Sequence, residues 1–124
     1  MTKINIPTDC DNSPKKKFIK DFNIAFAKGD REFIIDHVSD DIIWLIHGDK
    51  KIEGKEDFIK EIRQMQNETA DKLTLKSIIT HGKEASANGE IKMNGNSYMF
   101  CDVYVFKSAS GKIIKTMESY VIAV

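Results

Sequence analysis

From Leu73 to the C-terminus, apolar and polar residues alternate with a period of two, and Gly82-Lys83, Asn94-Gly95 and Ser108 to Gly111 interrupt the alternation. Period two marks half-buried strands, and small or turn-forming residues between such runs mark hairpins. The pattern therefore predicts strands over Leu73–His81, Glu84–Met93, Ser97–Lys107 and Lys112–Ile122, running as an antiparallel meander. The N-terminal half keeps a different period. Ser13-Pro14 offers a capping hydroxyl and a proline at the first helical position, and Phe18, Phe22, Ala25 and Phe26 recur at helical spacing until Gly29. Asp30 can cap a short second helix in REFIIDHV. A third helix, Lys55 to Asn67, puts Phe58, Ile62 and Met65 on one face. Between them, IIWLIH within Asp41–His47 lacks clean alternation, which predicts a strand covered on both faces. Gly48 to Gly54 reads as a polar loop. Residues 1–12 read as an N-terminal arm and 13–124 as one domain.

Helices segregated ahead of a long antiparallel sheet predict an α+β fold, with a curved sheet wrapped around the helices and a cavity on its concave side. Within the meander Phe100, Asp102 and Tyr104 share a face. If that face is interior, a carboxylate stands among large apolar side chains, which is costly unless it is paired, hydrogen-bonded or kept neutral. Tyr104, Ser119 and Tyr98 are its candidate partners, Tyr98 only if no bulge intervenes. Asp102 has two open readings: a carboxylate satisfied for the sake of the fold, or a tuned acid at a ligand site.

The chain has 124 residues with 19 basic and 19 acidic side chains. A balanced charge gives no field to hold nucleic acid or an anionic membrane surface, and no apolar run approaches the ~20 residues of a membrane span. Cys10 and Cys101 are spaced neither as a disulfide framework nor as a metal knuckle, so both are expected as free thiols in a reducing cytoplasm. His37, His47 and His81 show no metal-ligand spacing, so neither a metal nor a cofactor is expected. His47 sits next to the Ile46 position, but strand alternation points it to the other side. The run Lys15-Lys16-Lys17 reads as a solvated helix face. Phosphate loops, nucleophile elbows and Cys-His pairs are absent from the sequence.

The strings AFAKGDREFIIDHVSDDIIW, IEGKEDFIKEI and DVYVFKSASGKIIKTMESYV, in that order, resemble the nuclear-transport-factor-two-like superfamily, and within it SnoaL-like and ketosteroid-isomerase-like domains, over about Lys15 to Val124. The resemblance implies a cone-shaped, cystatin-like α+β barrel whose curved antiparallel sheet wraps three N-terminal helices. Set beside ketosteroid isomerase, a worked example of a carboxylic acid held neutral to donate a hydrogen bond, this chain has Ile46 where the general base stands. It has Phe22 where the oxyanion tyrosine stands. Only the second oxyanion donor is matched, by Asp102 of DVYVF. The resemblance thus implies no steroid isomerisation. The epoxide-hydrolase branch needs an aspartate in the final strand, where this chain has Ser119.

The resulting expectation is a small apolar molecule bound between the helices and the sheet. Asp102 would be acid or oxyanion donor with Tyr104 as its partner, and Phe22, Phe26, Trp44, Ile46, Met65, Phe100, Met117, Ser119 and Val121 would form the walls. Isomerisation, cyclisation or dehydration through an enol would suit such a site. The alternative, from a second class of function, is a non-catalytic ligand-binding or association module. Val103, Val105, Glu118 and Tyr120 fall on the opposite sheet face, and the superfamily resemblance implies a homodimer through it.

Overall fold

The computed structural model describes residues 2–8, 12–65 and 69–124. Its elements run β1 (Lys3–Asn5), α1 (Pro14–Lys28), α2 (Arg31–Ile35), β2 (Val38–Ile46), β3 (Lys50–Glu53), α3 (Lys55–Gln64), β4 (Lys72–His81), β5 (Glu84–Met93), β6 (Asn96–Phe106) and β7 (Ile114–Ala123). The seven strands form one sheet in the order β1-β4-β5-β6-β7-β2-β3. The predicted meander is its centre, with β4 to β7 antiparallel throughout. The β5–β6 turn is the two residues Asn94 and Gly95, at φ 53° and 80°, flanked by the Met93–Asn96 pair. Positive φ at both positions matches the twist of the strands, and asparagine and glycine tolerate it best.

Helix α1 starts as its sequence predicts. The Ser13 hydroxyl accepts from the Lys16 amide at 3.2 Å, and Gly29 ends the helix in the left-handed region at φ 76°. Phe18, Ile19, Phe22 and Ala25 are buried against the sheet. Tilted or edge-on rings link Tyr104 on β6 to Phe22, Phe22 to Phe26, Phe26 to Trp44 on β2, and Trp44 to Phe58 on α3. Aromatic contacts of this geometry add to the area they bury, and this series ties α1 and α3 to the concave face.

Three segments depart from expectation: Val38, expected to end the second helix, and Ser39-Asp40, expected to lie between that helix and the strand, instead open β2, and two further segments are edge strands. Lys50–Glu53, read as loop, is the edge strand β3, paired antiparallel with β2 so that Ile52 lies opposite Trp44. One buried residue among three charged ones leaves no alternation to detect, and charge on an edge strand discourages pairing with other chains. Within the expected arm, Lys3–Asn5 pairs parallel with β4 at the other edge. Cys10 and the last residues of the expected third helix, Gln66 and Asn67, lie outside the described residues.

Register shifts between Leu75 and Ser77, Val105 and Phe106, and Val38 and Ile43 bend the sheet, since an extra residue in one strand of a pair increases local twist. Gly89 lies opposite Leu75, beside the first shift. A side-chain carbon there would run into the Thr74 carbonyl oxygen, so only glycine allows β4 and β5 to approach so closely.

Candidate functional site

Between the concave face, α1 and α3 lies a cavity of about 490 Å³. Helices α1 and α3 and strands β2 and β4 to β7 all contribute to its wall. Helix α1 supplies Phe26 and Asn23, β2 supplies Trp44 and Ile46, β6 supplies Phe100 and Asp102, and β7 supplies Met117, Ser119 and Val121. Leu73, Ile91 and Met65 complete the apolar wall, while Asp49, Glu61 and Gln64 add polar groups. Of the expected wall residues, Phe22 alone is displaced. It is fully buried and packs edge-on against Phe26 and Tyr104, one layer behind the cavity. Tyr104 is also fully buried and meets the site through its hydrogen bonds with two wall residues, Asn23 and Asp102.

The polar floor forms one connected chain. The Trp44 indole N–H donates to the Ser119 hydroxyl at 2.9 Å, and Ser119 in turn hydrogen-bonds to the Asp102 carboxylate. From the other side, the Asn23 amide nitrogen donates to the Ile19 carbonyl at 2.9 Å and to the Tyr104 hydroxyl at 3.1 Å. Tyr104 then donates to Asp102 Oδ2 at 3.4 Å, long for an O–H···O bond. The directions are fixed by chemistry. An indole nitrogen can only donate and a backbone carbonyl can only accept. Trp44 therefore frees the Ser119 proton for Asp102, and Ile19 fixes the Asn23 amide so that Tyr104 must also donate to Asp102. Both protein hydroxyls converge on one carboxyl group.

Burial pushes the Asp102 carboxyl up from 3.8 to about 6, against the hydrogen bonds of Ser119 and Tyr104, which pull it down. Burial and then the neighbouring Asp102 charge push the Tyr104 phenol well above its ordinary value, so it remains a neutral donor. While both hydroxyls keep donating to Asp102, the proton of its acid form is left to the cavity.

Tyr98 is in register on the Asp102 side of β6, yet the Asp102 partners are Ser119 and Tyr104. His47 faces the outer surface, where its ring meets Glu118 at 3.0 Å and stacks on Tyr120 at 4.4 Å. Sequence reasoning missed Asn23, Asp49, Glu61 and Gln64. For Asn23 a signal existed: it lies four residues after Ile19 and three before Phe26, so the helical period places an amide in the buried stripe. Among the described residues, no group of three or more His, Cys, Asp or Glu could hold a metal ion. Cys101 is a free, half-buried thiol, and no helix among the described residues is long and apolar enough to cross a membrane.

Comparison with known proteins agrees with this architecture. An NTF2-like protein of unknown function from Cytophaga hutchinsonii is 24% identical, with a TM-score of 0.68 over 87% of this chain and 99% of that one. A structure described as a SnoaL-like polyketide cyclase, from Shewanella denitrificans, superposes with a TM-score of 0.73 at 9% identity, covering 89% of this chain and 92% of that one. An LEH-like epoxide hydrolase from M. tuberculosis gives 0.66 at 16% identity, covering 86% and 80%. At these identities the likeness shows the fold, cone-shaped and NTF2-like, and not the chemistry. No curated protein sequence matches the chain significantly. The sequence profile of the SnoaL-like domain, by contrast, matches residues 19–116, from the second turn of α1 into β7, and by that match the chain belongs to the SnoaL-like family of the NTF2-like superfamily.

Proposed function

We propose that the protein binds a small, largely apolar or aromatic molecule in this cavity, with Asp102 as the polar anchor that exchanges a proton with it. The observation that carries this reading is the carboxyl group on the cavity floor, fed by two hydroxyl donors and walled by Phe26, Trp44, Phe100 and Met117. A fold needing only a satisfied carboxylate has no reason to aim it at a hollow. In its acid form Asp102 donates to a ligand oxygen, the role that isomerisation, cyclisation or dehydration through an enol requires, and in its ionised form, which predominates above about pH 6, it accepts from a ligand donor. Asp49 and Glu61 line the same cavity and are the carboxylates positioned to take a carbon-bound proton, a group the Ile46 position cannot supply. A free Cys101 fits a reducing, cytoplasmic setting.

Carbon-detected NMR of the Asp102 carboxyl tests the reading. A midpoint near 6, moving when an apolar ligand enters, is expected. A midpoint near the ordinary ~4 would remove the tuned acid.

A second feature favours association of two copies through the outer sheet face. Ile79, Tyr120 and Ile122 are 62%, 45% and 66% exposed and border one shallow depression with Met99 and Cys101. Clustered apolar exposure of this kind marks contact surfaces. Light scattering at micromolar concentration is expected to give a dimer that Ile122→Lys converts to monomer, and a strictly monomeric native chain would exclude it.

A further inference from the structure

Hydrogen-bond accounting among the described residues of the cavity floor leaves no free N–H or O–H donor for an anion when Asp102 is ionised. The Trp44 N–H is spent on Ser119, the Ser119 and Tyr104 hydroxyls are spent on Asp102, and both amide hydrogens of Asn23 are spent on Ile19 and Tyr104. What Asn23 can still offer is its carbonyl oxygen, and what Asp102 offers when ionised is a carboxylate. Among the described wall residues, the remaining neutral side-chain donor is the Gln64 amide.

Charge points the same way. Among the described residues lining the cavity, Asp49, Glu61 and Asp102 are acidic and none is Lys, Arg or His. The nearby cation, Lys50, is tied to Glu61 by contacts of 3.1 and 3.2 Å and is not part of the wall. Glu61 is thereby balanced, while Asp49 and Asp102 have no cation among the wall residues. An anion entering such a space meets the charge of Asp102 where burial makes repulsion strong, and that of the exposed Asp49, which water and salt screen.

We propose that the cavity selects for a cationic polar end: its ligand is an apolar amine, a hydrophobic body whose protonated nitrogen donates to Asp102, with neutral hydroxyl analogues weaker and carboxylate or phosphate analogues excluded. The inference rests on the cavity being a ligand site at all, and the test separates the two. Exclusion of the wrong charge is a form of specificity built by leaving it unpaired rather than by adding contacts to the right ligand.

Three probes with one adamantane body distinguish the outcomes: 1-adamantylamine, 1-adamantanol and adamantane-1-carboxylate, titrated into the full chain at pH 7. Trp44, the only tryptophan, lines the cavity and reports occupancy by its emission, with calorimetry as the second readout. The amine is expected to bind at least about tenfold more tightly than the alcohol, ~1.4 kcal/mol, and the carboxylate not measurably. Asp102→Asn should abolish the preference of amine over alcohol while the alcohol still binds. If the carboxylate binds as well as the amine, or if the amine keeps its preference in Asp102→Asn, the charge selection is wrong although the cavity remains a ligand site. If none of the three saturates, the ligand-site reading itself falls, and this proposal with it.

Discussion

Asp102→Asn is expected to make the protein more stable at pH 7, by about 2 kcal/mol. The folded carboxyl sits at about 6 against 3.8 in its ordinary state. A carboxyl raised by folding binds its proton more tightly in the folded chain than in the unfolded one, so the stabilisation is fully present below about pH 4 and is lost as pH rises from there to about 6. At 1.36 kcal/mol per pH unit the whole gap corresponds to about 3 kcal/mol. Asp102 is half-buried, so water reaching it through the cavity lowers the figure. Asparagine keeps an oxygen to accept from Ser119 and Tyr104, and its amide hydrogens take the place of the acid proton facing the cavity. The measurement is urea unfolding of both proteins from pH 4 to pH 8, compared as a difference so that other acids cancel. The two should converge at the acid end and separate through the window between 3.8 and about 6. A variant less stable than the native chain at pH 7 would mean that the ionised carboxylate holds the fold together, and the case for a group kept at a cost to stability would be lost.

Gly89→Val is expected to cost about 3 kcal/mol or more, the upper end of overpacking effects. What a side chain would meet at Gly89 is the backbone of β4: the Thr74 carbonyl oxygen and carbon, and the Leu75 Cα at 3.1 Å. Backbone in a paired strand cannot rotate away as a side chain can. Relief requires β4 and β5 to part beside the register shift at Leu75 and Ser77, which flattens the bend that hollows the concave face. Gly111→Ala is the matched control, because the obstacle there is the Ser108 hydroxyl, a group that turns aside by one rotation; it should stay within ~0.5 kcal/mol of the native chain. Thermal unfolding of both variants checks the contrast. Equal, small losses would show that the strands have room to spare and that glycine is not what sets the curvature.

Much of the architecture was legible from local pattern. The four C-terminal strands follow from alternation, and the turn at Asn94-Gly95 from residues that accept positive φ. Helix α1 follows from Ser13, Pro14 and Gly29 at its ends and from its apolar stripe. The edge strands were not legible for a physical reason. Lys50–Glu53 buries only Ile52, and Lys3–Asn5 is three residues long, so neither carries a pattern of its own; each is strand because a neighbouring strand supplies hydrogen-bond partners. The candidate site divides in the same way. Asp102 stood out because alternation set it between Phe100 and Tyr104, and Ser119 because β7 shares that parity. Asn23 was hidden by its neighbour, since the aromatic stripe of α1 includes Phe22, which packs a layer too deep. Asp49 and Glu61 belong to polar stretches that local pattern assigns to solvent, and only the closing of α3 and the β2–β3 turn over the concave face makes them part of a wall.

Period, turn chemistry and helix ends are properties of neighbouring residues, and the chain therefore carried the order of its helices and long strands, its α+β class and its inward-facing acid without help from any distant contact. The direction of the hydrogen-bond chain from Trp44 and Asn23 into Asp102, and the absence of a cation from the described wall, join residues as far as 81 positions apart. Such relations exist only once the sheet has bent and α1 has settled across it, which is why donor accounting and charge at the site were decided by tertiary structure alone.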